Sequence, residues 1–235
     1  MMNRTLQWIR GLWHLPSAWL LMLQAMILFL SAWAPNDLGI RAMIWILGAL
    51  ALFVIAKVIK ASPMFSILGL FSVFGALIFS FLILLGYHQD QIQMIAHGCE
   101  AVAYFSAAYA LLKYMFADRY VTKDELFAAA AVFTLIAWGF AFCYNICQLY
   151  DAQSFAKNGV GGMQSWLDLL FLSFSLQSAT GLSDILPVTG LARVVTMLQM
   201  FVGVMYFALI VSRLIAMQYM ARLPAYLKDK DKNDH

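Results

Sequence analysis

The sequence predicts an all-α integral membrane protein with six transmembrane helices and a short re-entrant helix between the fifth and sixth. Three observations predict it. Apolar residues make up 63% of the chain and charged residues only 11%, with a mean hydropathy of +0.79. A soluble domain carries about 25% charged residues to cover its surface, so composition alone excludes one. The apolar residues also fall in blocks of about twenty, the length that crosses ~30 Å of hydrocarbon at helical rise. Lipid offers no hydrogen-bond partners, so such blocks must be helices. Finally, the basic residues gather on alternate connections, as in a chain that threads a bilayer repeatedly.

The spans run over residues 16–34, 40–60, 64–87, 92–116, 124–149 and 191–218. A seventh apolar stretch, 166–180, is too short to cross and reads as re-entrant. Helix-start signals agree with several edges. Ser62-Pro63 supplies an N-cap followed by proline at the first helical position. Thr122 with Glu125 forms a capping box at the fifth span, and Ser165 with Asp168 forms a looser one at the short segment. The first span is read as retained: Ala32-Trp33-Ala34 resembles a signal cleavage site, but Pro35 follows it directly. The tail from Lys228 alternates Lys and Asp and is expected to be disordered.

With the N-terminus cytoplasmic, twelve of the 15 Lys and Arg residues fall inside and only Arg41, Lys157 and Arg193 outside. Six crossings return the C-terminus to the cytoplasm, in agreement. The net charge of +3 gives no case for a nucleic-acid partner; the expected partner is membrane lipid. Cys99, Cys143 and Cys147 lie in apolar segments and offer neither a disulfide framework nor metal-ligand spacing. His14, His88, His97 and His235 form no haem pattern, so no cofactor is expected. Trp13, Trp19, Trp33 and Tyr150 stand at span ends, where aromatic belts form.

The informative stretch is 166–217. After the short helix comes the polar turn Ser178-Ala179-Thr180-Gly181-Leu182-Ser183-Asp184, then Pro187 and the last span. Irregular backbone at membrane depth is tolerated only beside protein or water, so these residues are candidates to line a water-filled path with backbone carbonyls.

At these residues the chain resembles the bacterial potassium channel family, with its pore helix, T-x-G-Y-G-D filter and following proline. Phe171-Leu172-Ser173-Phe174 matches the pore helix, and Gly181 and Asp184 match the first glycine and the aspartate of the filter. Ile185-Leu186-Pro187-Val188-Thr189 and Leu191-Ala192-Arg193 match the outer turn and the start of the inner helix, and Arg119-Tyr120-Val121-Thr122 matches the lead-in. The resemblance covers residues 119–218. It implies a homotetramer in a bacterial inner membrane, with a filter loop on the fourfold axis and a monovalent cation, K+ in the family, passing through it. It divides the chain into a four-helix domain (1–118), a pore domain (119–220) and a cytoplasmic tail (221–235).

The filter positions depart from that family. Ala179 stands for the threonine, Leu182 for the tyrosine and Ser183 for the second glycine. Serine in a left-handed conformation costs about 1 kcal/mol or more, and potassium selectivity depends on stacked carbonyl rings. The departures imply relaxed selectivity or a pore that conducts poorly. Asp184 is either a fourfold acidic ring at the outer mouth, with Arg193 placed to neutralise it, or a cap of the turn. Gly203 is either a gating hinge or a point of close helix packing.

The fourth span lacks the repeated arginines of a voltage sensor, holding Lys113 at one end and the acid Glu100 within. Glu100 reads as an interhelical contact near His97 and Tyr104, or as a functional acid. No paired carboxylates, metal cluster or nucleophile–base pair occurs in the spans, so the chain is read as no enzyme. Three functions remain in view: a tetrameric cation channel, a non-conducting subunit with the channel fold, and a carrier using Glu100.

Overall fold

The computed structural model describes residues 16–31, 46–55, 57, 66–87, 89–117 and 123–233. The helices are α1 (Pro16–Ser31), α2 (Ile46–Ile55), α3 (Ser66–Leu84), α4 (Asp90–Ala117), α5 (Lys123–Tyr150), α6 (Trp166–Gln177) and α7 (Gly190–Asn233). Between α5 and α7 run three short strands, β1 (Phe155–Lys157), β2 (Val160–Gly161) and β3 (Ile185–Pro187).

The count of six spans is corrected here. Among the described residues four helices, α3, α4, α5 and α7, are long and apolar enough to cross a membrane. The two N-terminal segments yield shorter helices. The 16 residues of α1 rise about 24 Å, less than the ~30 Å hydrocarbon core, and α2 is shorter still. The remainder of both segments lies outside the described residues, as do Ser62-Pro63, Thr122, the lead-in at 119–122, Trp13, Trp33, His14, His88, His235, Arg4, Arg10, Arg41 and Lys60. A second correction concerns the tail: α7 continues to Asn233, so residues 228–233 are helical rather than disordered.

Helix α5 is the hub, packing against α1, α4, α6 and α7. Its buried face alternates small and large side chains: Ala128, Ala131, Ala137 and Ala141 beside Leu135 and Tyr144. Small residues let helices approach closely, which is how apolar helices associate without a hydrophobic drive. The α4–α5 seam shows this directly. A Cβ on Gly139 would lie 2.8 Å from the Phe105 ring, and Ala103, Ala107 and Ala110 are buried on α4. Where α1 meets α5, the Thr134 hydroxyl donates to Gln24 Oε1 at 2.6 Å.

The sheet has the order β2-β1-β3 and is antiparallel throughout. Asn158 and Gly159 turn β1 into β2 with φ of 52° and 81°, the paired left-handed conformation of a two-residue hairpin for which Asn-Gly is the preferred pair. Strand β1 then pairs with β3, bringing Lys157 opposite Ile185. The chain leaving α5 and the chain entering α7 are thus tied together on either side of α6.

Candidate functional site

Helix α6 starts at Ser165, whose hydroxyl accepts from the Asp168 backbone N–H at 3.2 Å and donates to Asp168 Oδ2 at 2.9 Å. This is the cap expected from the sequence, and it satisfies an amide that the helix itself cannot. Asp168 has a second partner that sequence reasoning missed: Lys157 Nζ lies 2.8 Å from its Oδ1. The same ammonium lies 3.6 Å from Asp184 Oδ2. The hydrogen bond that Lys157 donates to Asp168 holds its ammonium above the usual lysine range, and the charge of Asp184 adds to this. Burial alone would raise the Asp168 carboxyl, but the hydrogen bonds from Lys157 and Ser165 outweigh it and hold the group below its usual range. Arg193, expected beside Asp184, instead donates from Nε to Pro187 O at 3.2 Å.

The other end of α6 overturns the expected pore loop. Three short strands flank α6 between α5 and α7, and the chain leaving α6 folds back on the helix instead of running on as an extended filter. Ala179 N–H donates to Leu176 O at 3.1 Å, while the N–H groups of Thr180 and Gly181 both donate to Ser175 O, at 3.0 and 3.2 Å. Ala179 (φ 57°) and Gly181 (φ 65°) adopt left-handed conformations that close the turn. Such a turn satisfies the carbonyls that a helix end leaves open. Ser183 is not left-handed; its N–H donates to Ser175 Oγ at 3.1 Å, and its hydroxyl accepts from Ile185 N–H at 3.1 Å. The strained residue is therefore Ala179, at a cost of about 1–2 kcal/mol. Ala179, Thr180, Gly181, Leu182 and Asp184 are exposed, and Ser178 and Ser183 half-buried.

Behind α6 lies a buried polar knot that the sequence reading also missed. Gln199 on α7 is fully buried and donates from Nε2 to Ser173 O (3.0 Å), Ser173 Oγ (2.7 Å) and Gln177 Oε1 (3.3 Å). Its Oε1 accepts from the Tyr144 hydroxyl of α5. Ser173 Oγ donates in turn to Ala137 O at 2.5 Å. The knot pins α5, α6 and α7 at one depth, and its signal was three polar side chains inside apolar runs. One turn beyond it Gly203 passes the end of α6, where an added Cβ would lie 2.7 Å from Gln177 O. That is the close approach weighed for this glycine.

A second polar chain runs through α3, α4 and α5, and one backbone group fixes its direction. Gln164 N–H donates to Gln148 Oε1 at 2.9 Å, so Gln148 Nε2 is the end that donates to Asn145 Oδ1 at 2.6 Å. Asn145 Nδ2 then donates to His97 Nε2 at 2.8 Å, which leaves the imidazole proton on Nδ1, donating to Glu100 Oε2 at 2.8 Å. Ser80 Oγ reaches Glu100 Oε1 at 3.4 Å. The expected His97–Glu100 contact is present. Cys99, Cys143 and Cys147 are free thiols, and among the described residues no group of His, Cys, Asp and Glu could hold a metal ion.

No curated protein and no solved structure matches the chain. Residues 127–219, from α5 through the sheet and α6 into α7, match a family described as ion channel, which is non-catalytic, and with the four membrane-length helices this makes the chain an ion-channel-like membrane protein and not an enzyme.

Proposed function

We propose that the protein is a homotetrameric cation channel of a bacterial inner membrane, both termini cytoplasmic, with residues 119–220 as its pore domain. The ion path lies on the fourfold axis and is lined by Ser178, Ala179, Thr180, Gly181, Leu182, Ser183 and Asp184 of each subunit. The ion-channel match over residues 127–219 carries this reading. Two features support it. The turn after α6 is open to the surrounding medium, and α7 leaves large apolar side chains such as Leu198, Phe201 and Val204 exposed on a single chain, free to meet lipid or neighbouring copies. Four copies of Asp184 would concentrate cations at the mouth and disfavour anions. The ion is a monovalent cation, without the strict preference for K+ that stacked carbonyl rings give. In planar bilayers under a KCl gradient, the reversal potential is expected near the cation equilibrium potential; a value near that of chloride contradicts the reading.

One observation favours a second reading, a non-conducting subunit with the channel fold: the turn at 179–181 is closed on Ser175 O. Under it, the unaltered protein passes no current, and the combined change Ala179→Thr, Thr180→Val, Leu182→Tyr and Ser183→Gly creates a potassium current. Conduction by the unaltered protein eliminates it.

A further inference from the structure

Helices α1–α5, with Trp166 at the start of α6, line a half-open cavity of about 450 Å³. Apolar and aromatic side chains line most of it, and Ile46, Phe81 and Leu84 on it are exposed on the outer faces of their helices, where acyl chains would lie. Into this apolar space the wall contributes the carboxylate of Glu100, whose side chain is only 14% exposed. The direction of the hydrogen-bond chain fixed by Gln164 N–H makes His97 a neutral donor to that carboxylate. Ser80 is neutral as well, and no lysine or arginine lines the cavity among the described residues. A half-buried carboxylate whose partners among the described residues are all neutral is costly, and a cation beside it offsets that cost.

Two further observations bear on the cation's chemistry. Tyr104, Trp138, Phe142 and Trp166 form one aromatic wall, with Tyr104 and Trp138 stacked at 6.0 Å between centroids and Phe142 and Trp166 tilted at 4.7 Å. Aromatic faces attract ammonium groups, more strongly when water is excluded. A carboxylate accepts at about four sites, and those that His97 and Ser80 leave open are available.

We propose that this cavity is a binding site for a lipophilic monoammonium compound. The ammonium sits against Glu100 and its apolar body on the aromatic wall. The site does not depend on whether the pore conducts, because binding is read directly.

The test is calorimetric titration of the full chain in nanodiscs, with empty nanodiscs subtracted, using 4-phenoxybutylamine and its neutral counterpart 4-phenoxybutan-1-ol. The amine is expected to bind saturably, one per chain, and at least tenfold more tightly than the alcohol. Glu100→Gln is expected to abolish that difference. Equal affinity for amine and alcohol, or no saturable binding to the unaltered protein, overturns the proposal without recourse to any variant. An unchanged amine affinity in a folded Glu100→Gln protein overturns it as well.

Discussion

Lys157 Nζ stands 3.6 Å from Asp184 Oδ2 and 2.8 Å from Asp168 Oδ1, so one ammonium serves the acid at the start of α6 and the acid beyond its end. The hairpin makes this possible, since Lys157 occupies the β1 position opposite Ile185, next to Asp184. In the proposed pore, Lys157 therefore sets how negative the mouth is. Lys157→Gln is expected to raise cation conductance about twofold at low ionic strength and to have little effect at ~1 M salt, where the screening length falls to about 3 Å. Bilayer recordings at the two salt concentrations check this.

The ion pair also carries a pH signature. The folded-state pKa of Asp168 lies below its ordinary value of 3.8, so its contribution to stability is complete above that value and is lost as pH falls through the lower folded one. Lys157 is shifted upward, so its contribution holds below 10.5 and disappears as pH rises through the folded value. Thermal unfolding in detergent should thus lose stability at both extremes. Asp168→Asn should flatten both limbs and lower stability between them.

Gln199 gathers three acceptors and one hydroxyl in the core, and removing it takes their shared partner from the Tyr144 hydroxyl and Gln177 Oε1, while Ser173 Oγ keeps its bond to Ala137 O. Gln199→Leu is expected to cost about 2 kcal/mol, because buried polar groups left unpaired are expensive even where a membrane provides alternatives. Tyr144→Phe, which removes the hydroxyl alone, should cost about 1 kcal/mol. Denaturation midpoints of the two variants rank the effects.

At Gly203 the backbone of α6 fills the space a side chain would need. Gly203→Ala should destabilise by about 1–3 kcal/mol, since neither helix backbone can yield without losing contacts. A variant as stable as the original protein would contradict the close approach and leave the hinge as the reason for glycine.

The long helices were legible because length and hydropathy leave a chain in lipid little choice: α3, α4, α5 and the start of α7 fall close to the edges read from apolar blocks. Among the described residues the N-terminal pair falls short of full spans, because hydropathy does not distinguish a full span from a shorter apolar helix such as α1. The Ser165–Asp168 cap was legible from spacing. The hairpin also has a signature in sequence, Asn158-Gly159, the preferred pair for a two-residue turn. The closed turn after α6 was not readable, because an alanine with φ of 57° has no signature in sequence; only the surrounding hydrogen bonds hold Ala179 there. The sequence reading placed Arg193 beside Asp184, where the structure places Lys157. Arg193 is nearer along the chain, but strand pairing brings Lys157 in from the other side.

Thallium influx into liposomes containing the intact protein, with its four-copy assembly verified by mass, tests the central claim most directly. The account predicts a rapid influx, reduced severalfold by Asp184→Asn, which removes the acidic ring while leaving the fold of α5–α7 in place. Intact tetramers that pass no thallium under any condition would contradict it.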